Sequence, residues 1–124
     1  MRAISVGPSS LHGLGVFSDI AIPIGAVIEK CPVIRISRSD LALIEQTVLL
    51  GRCFHWNGAA ALALGYGSLY NHCDTPNAGT WPDLEHGVLI VTALVDIAAG
   101  TEITISYSGG DPSVLWFAPA RLDS

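Results

Sequence analysis

The sequence is poor in charge and almost devoid of lysine. Only 14% of its 124 residues are charged, and Lys30 is the one lysine. Six basic residues against eleven acidic ones leave a formal net charge of −5. Proteins that bind nucleic acid carry a basic stripe that neutralises phosphates. None is present, so direct nucleic-acid binding is not expected, and the acidic balance favours a basic partner. Long apolar runs are also missing. A membrane-spanning helix needs about 20 consecutive apolar residues, whereas the best run, Val88 to Ala99, is broken by Thr92 and Asp96. No membrane association is expected. Met1-Arg2-Ala3-Ile4-Ser5-Val6-Gly7-Pro8 has no apolar stretch before its first turn signal and does not read as a signal peptide. Cysteine is scarce. Cys31, Cys53 and Cys73 cannot pair off completely and form no CxxC. That usage predicts a reduced, cytoplasmic protein (nuclear in a eukaryotic source) without a structural zinc knot.

Half of the residues are hydrophobic. Such a composition excludes intrinsic disorder and supplies one core with material to spare. Surplus apolar surface on a small domain points to a ligand groove or a subunit interface, a homodimer face among them. No repeat, linker or low-complexity block divides the chain, so residues 1–124 read as a single domain. Thirteen glycines and seven prolines are scattered between short apolar runs, the pattern of a loop-rich, mostly β protein.

Arg2 to Val6 and Gly15 to Phe17 read as strands, with a turn at Gly7-Pro8-Ser9-Ser10 and another at Pro23-Ile24-Gly25. The β-branched runs Ala26 to Lys30 and Val33 to Ile36 are expected to be two strands split by Cys31-Pro32. Ser39 caps, and Asp40 opens, a predicted helix over Leu41 to Gln46. Arg52 to Trp56 is predicted as a strand. Ala59 to Leu64 is either a strand or a single helical turn. Asn77 to Trp81 and Val88 to Ala93 form a hairpin-like pair around 82–87. Glu102 to Tyr107 alternates Ile103, Ile105 and Tyr107 against Thr104 and Ser106, as a strand does.

Three segments carry more than fold information. Gly13-Leu14-Gly15-Val16-Phe17 sets two glycines around one residue, which lets a backbone approach a ligand closely; alone it is a weak signal and reads first as a plain turn before a strand. Tyr70-Asn71-His72-Cys73-Asp74-Thr75-Pro76-Asn77 is dense in polar groups directly after an apolar run, and polar groups near a core need partners. His72, Cys73 and Asp74 are adjacent, which is poor geometry for converging on one ion, and no metal site is expected. Asp96-Ile97-Ala98-Ala99-Gly100-Thr101-Glu102-Ile103-Thr104-Ile105-Ser106-Tyr107 ends a strand on a tyrosine.

In this order and at this spacing the three blocks resemble the SET-domain family of protein-lysine methyltransferases. The family pattern is a GxG followed by a short strand and an I..G turn, then NHSCxPN, then DI..GEE(L/I)T..Y. Gly13, Gly15 and Ile24-Gly25 match the first block. Asn71, His72, Pro76 and Asn77 match the second, and Asp96-Ile97, Gly100, Glu102, Thr104 and Tyr107 the third. Cys73 stands where the family has Ser, Asp74 where it often has Cys, Thr101 in place of the first acidic residue, and Ile105 in place of a frequent tyrosine. No cysteine-rich segment accompanies the motifs, which suggests a minimal, SET-only member with its core motifs at 13–107.

The resemblance implies a β-clip-like fold of small twisted sheets with few short helices. A C-terminal pseudoknot would bring residues 71–77 beside 103–107. It implies S-adenosylmethionine as cofactor, flanked by Gly13, Leu14 and Gly15 and held by Asn71 and His72. It also implies a lysine channel entered from the opposite face and a catalytic Tyr107, in contact with the cofactor, where the two meet. Tyr66 and Tyr70 are candidates for the channel wall, with core packing as the alternative for each. Trp116 and Phe117 are candidates to close the channel in place of a zinc segment, with packing or a dimer contact as the alternative. The substrate implied is a lysine-containing basic protein, histones being the usual family association. A second reading is a SET-like module that binds peptide or cofactor and transfers nothing. A third is an unrelated β domain with no affinity for the cofactor.

Overall fold

The computed structural model describes residues 3–106. Nine strands, one α-helix and two short 3-10 turns make up this part of the chain. The strands are β1 (Ile4–Pro8), β2 (Leu14–Ser18), β3 (Val27–Ile36), β4 (Phe54–Trp56), β5 (Ala59–Ala63), β6 (Asn71–His72), β7 (Ala78–Asp83), β8 (Val88–Ala93) and β9 (Glu102–Ile105). They form a four-stranded sheet, β1-β2-β9-β6, and a five-stranded sheet, β4-β5-β3-β8-β7. The mostly β reading and the expectation of small sheets are borne out.

The five-stranded sheet follows the rule that side chains alternate across a strand. Along β8, Leu89, Val91 and Ala93 are buried while Val88, Ile90 and Thr92 are only partly so. The hairpin with β7 pairs Ala78 with Ala93 and Asp83 with Val88, which shortens the expected turn to residues 84–87. Its partner β3 runs unbroken through Cys31-Pro32, against expectation. Pro32 sits where β3 finishes pairing with β8 and begins pairing with β5. Its carbonyl accepts from Leu64 N–H at 2.8 Å, so its missing N–H costs only the return bond of the terminal pair of the β3–β5 ladder. Ala59 to Ala63 is a strand. Four of its five positions are small alanines, which lets β5 lie close between β3 and β4.

The helix α1 spans Arg38–Ile44 rather than Leu41 to Gln46. Ser37, not Ser39, is its cap, accepting from Asp40 N–H at 3.2 Å. Arg52 belongs to the 3-10 turn Val48–Arg52, and the following strand begins only at Phe54. At the N-terminus β1 extends through Gly7 and Pro8, where a turn is expected. Pro8 is tolerated because it ends an edge strand.

The four-stranded sheet is the one that positions the site. β9 lies between β2, which it meets antiparallel, and β6, which it meets parallel. That insertion sets residues 71–77 beside 102–105, the juxtaposition the resemblance implies. Two turns clasp the sheet. Ile22 and Ile97 exchange N–H···O bonds of 2.8 Å in both directions. Asp96 Oδ1 accepts from Ile24 N–H at 2.8 Å. The DI..G and I..G motifs therefore answer one another across the fold. Ser18, almost fully buried, donates to Ala98 O at 2.7 Å and accepts from Thr101 N–H at 3.2 Å, which fixes the turn that launches β9. The main core, including Val16, Cys31, Tyr70, Leu89, Val91, Ile103 and Ile105, fills the space between the sheets.

Candidate active site

The centre of the candidate site is the side chain of Asn71, 1% exposed. Its Nδ2 donates to His12 O (3.0 Å), Leu14 O (3.1 Å) and Glu102 Oε2 (2.9 Å). Its Oδ1 lies 3.5 Å from Arg52 Nη1, which also donates to Tyr70 O at 3.3 Å. One amide thus joins the GxG loop, the second motif and the first residue of β9. Such a group must be satisfied on both of its faces, because a buried amide without partners costs about 1–3 kcal/mol.

Glu102 completes the lock. Ser9 Oγ donates to both of its carboxylate oxygens, at 2.7 and 2.9 Å. The same Ser9 oxygen accepts from Leu11 N–H at 2.9 Å, so the loop before Gly13 is pinned at its base. Gly15 is required by this packing. A Cβ there would collide with Glu102 Oε2 and stand 2.9 Å from Glu102 Cδ and 3.1 Å from Ser9 Cβ. The second glycine of the motif thus admits a carboxylate, whereas Gly13 is exposed, has φ +46° and has open space where a side chain would stand. Leu14 between them is 54% exposed.

Asn77 performs a related task on β9. Its Nδ2 donates to Glu102 O at 2.9 Å and its Oδ1 accepts from Thr104 N–H at 2.8 Å. The side-chain amide imitates the rung of a neighbouring strand along β9. His72 is half-buried and its Nε2 lies 2.8 Å from Asp74 Oδ1, while Asp74 itself is exposed. The exchange of Cys for Asp74 therefore places a carboxylate at the surface beside His72. Ile105, where the family often has tyrosine, is wholly buried in the core.

The remaining expected residues divide. Tyr70 is 1% exposed and lies in the main core, its hydroxyl donating to Glu29 Oε1 at 2.7 Å. Burial first, and then the Glu29 charge, push its ionisation far above the ordinary tyrosine range. The same two causes push the Cys31 thiol up to about 12. Tyr66 is half-buried against the core, and its N–H donates to Glu29 Oε2 at 3.0 Å. Tyr107, Trp116 and Phe117 lie outside the described residues. Sequence reasoning missed Ser9, Glu29, Arg52 and the carbonyl of His12. Each of them acts across a long sequence separation, and no local pattern announces it.

The comparisons agree with this geometry. A sequence profile of the SET domain matches residues 13–108. The histone-lysine N-methyltransferase, H3 lysine-37 specific, of Schizosaccharomyces pombe is 36% identical over 116 residues, covering 92% of this chain and 76% of the relative. A crystal structure of a Plasmodium falciparum protein described as a histone methyltransferase superposes with a TM-score of 0.72 at 37% identity. That match spans 86% of this chain and 94% of the other. The motif-bearing sheet, the Asn71 lock and these likenesses lead to one assignment: the chain belongs to the SET-domain family of protein-lysine methyltransferases.

Proposed function

We propose that the protein transfers methyl groups from S-adenosylmethionine to lysine side chains of a basic protein of the histone class. The observation that carries this reading is the Asn71 amide. It binds the GxG loop carbonyls and the strand leading to Tyr107 into one rigid unit. The substrate class rests on the Schizosaccharomyces pombe relative, whose name specifies histone H3, and on the acidic balance of this chain.

The chain fits the cofactor at its rim. Gly13 leaves backbone open to a ligand, and exposed Leu14 offers apolar surface beside it. Gly13, Leu14, Gly15 and His72 are the residues assigned to hold it. The Asn71 side chain serves from behind, since its donors are committed to the loop itself. When bound, S-adenosylmethionine supplies an electrophilic methyl group on a sulfonium leaving group.

The protein's part is alignment and dehydration. Lysine attacks as the neutral amine, and with an ordinary pKa of about 10.4 only about one in a few thousand is neutral at pH 7. A water-poor channel disfavours the ammonium and lowers that pKa. Tyr66 is assigned to the channel wall, Trp116 and Phe117 to its closure, and the Tyr107 hydroxyl to holding amine and methyl group in line. Tyr107 need not accept the proton itself.

The test is incubation with isotope-labelled cofactor and a histone mixture. Label on lysine is expected. Cofactor binding without transfer would mean a binding module, and no cofactor affinity would contradict the proposal altogether.

A further inference from the structure

Between β5 and β6 the chain runs Gly65-Tyr66-Gly67-Ser68-Leu69-Tyr70 and delivers Asn71 directly into the site. This connection folds around one carboxylate. Glu29, on the central strand β3, accepts from the N–H of Tyr66 at 3.0 Å through Oε2 and from the hydroxyl of Tyr70 at 2.7 Å through Oε1. Each oxygen therefore holds one end of the segment. Two glycines make the approach feasible. A Cβ on Gly65, where φ is +64°, would stand 2.5 Å from Glu29 Oε2. A Cβ on Gly67 would stand 2.5 Å from Ala63 Cβ and 3.0 Å from Cys31 Sγ. Ser68 Oγ adds a bond to Ala63 O at 2.8 Å. Hydrogen bonds to a charged group are the strong ones, and a partly buried carboxylate that lost one would be left short of a partner.

We infer that Glu29 is a positioning residue for the lysine channel: by clamping both ends of the Tyr66–Tyr70 segment it sets where Tyr66 stands, and so how the substrate amine is presented. The inference rests on the methyltransferase reading and on Tyr66 as channel wall. It concerns the lysine side of the reaction, because the lock on the cofactor side runs through Asn71, Glu102 and Ser9 and does not include Glu29.

Glu29→Gln keeps size and shape but has one carbonyl oxygen for two donors. Tyr70→Phe removes the hydroxyl alone and serves as the second variant. Steady-state kinetics with a lysine peptide should show a rise of about three- to tenfold in peptide KM for either variant, a part of what such a bond is worth, because Glu29 acts on the channel through Tyr66. The KM for the cofactor should stay within about twofold, and the ratio of mono- to higher methylated product should change. In parallel, peptide binding is titrated against each folded variant with S-adenosylhomocysteine present. Unchanged peptide KM, unchanged product ratio and unchanged peptide affinity in the folded variants overturn the inference. Equal change in the peptide and cofactor constants also overturns it, by marking a general structural defect. A wild-type chain that binds peptide but transfers no methyl group counts against the proposed activity, and the titration then still decides the role of Glu29. A wild-type chain that neither transfers nor binds overturns both.

Discussion

Replacing Asn71 by aspartate exchanges a donor for an acceptor at almost constant shape, at the point where three acceptors converge. Asn71 Nδ2 now faces His12 O, Leu14 O and Glu102 Oε2, all within 3.1 Å. An aspartate oxygen in that place loses one charge-assisted bond, about 1.5–3 kcal/mol. It also sets two carboxylates together. With charge centres about 4 Å apart and an effective dielectric of about 20, their repulsion is about 4 kcal/mol. The sum, about 5–7 kcal/mol, is of the order of the whole stability of a domain this size. The pair has one escape, which is to share a proton. The folded variant then holds a proton that the unfolded chain releases near the ordinary carboxylate pKa of about 4. Because the folded state binds the extra proton, stability falls as pH rises between that value and the raised pKa of the pair. Urea unfolding of wild type and Asn71→Asp should thus diverge as pH rises from about 5 to about 8, by up to about 1.4 kcal/mol per pH unit. A difference below about 1 kcal/mol at the upper end, or one independent of pH, would refute the lock.

Gly15→Ala drives a methyl group against the Glu102 carboxylate. Overpacking of that kind costs about 1–3 kcal/mol, and thermal unfolding should fall by about 3–15 °C, with weaker cofactor binding by titration. Alkaline unfolding should begin near pH 9. Burial raises the thiols of Cys31 and Cys53 and, with Glu29, the phenol of Tyr70. The unfolded chain therefore loses these protons first, and stability declines between the ordinary Cys value of 9.0 and the value of about 12 for Cys31. Denaturant titrations through that range check the slope. Trp116→Ala should raise the lysine-peptide KM if this residue closes the channel, and an unchanged KM would argue against that role.

How much of this was legible in the sequence depends on distance along the chain. The apolar run Val88 to Ala93 and the spacing of Ile103 and Ile105 are local signals, and both fall on strands. The motif residues were legible because their spacing is distinctive, and the structure brings Gly13–Gly15, Asn71 and Glu102 together. Strand β6 was not legible, because two residues have no periodicity and exist as a strand only through β9. Pro32 misled because a proline at the end of a ladder costs one bond and leaves the strand unbroken. Ser37 and Ser39 are both good caps, and the sequence does not say which one begins the helix. Ser9 and Glu29 each look like an ordinary polar residue in a turn or strand. Their roles appear only when Glu102 and the Tyr66–Tyr70 segment fold onto them. The Asn71 amide also has a structural part that its motif does not announce, tying the backbone around Gly13 to Glu102.

The central claim is methyl transfer to lysine governed by Tyr107. Its most direct test is mass spectrometry of histones incubated with S-adenosylmethionine and either the wild-type chain or Tyr107→Phe. The account predicts methylated lysines with the wild type, nearly none with the variant, and cofactor binding that is largely intact in both. Unmodified histones with a cofactor-binding wild type, or full activity in Tyr107→Phe, would contradict it.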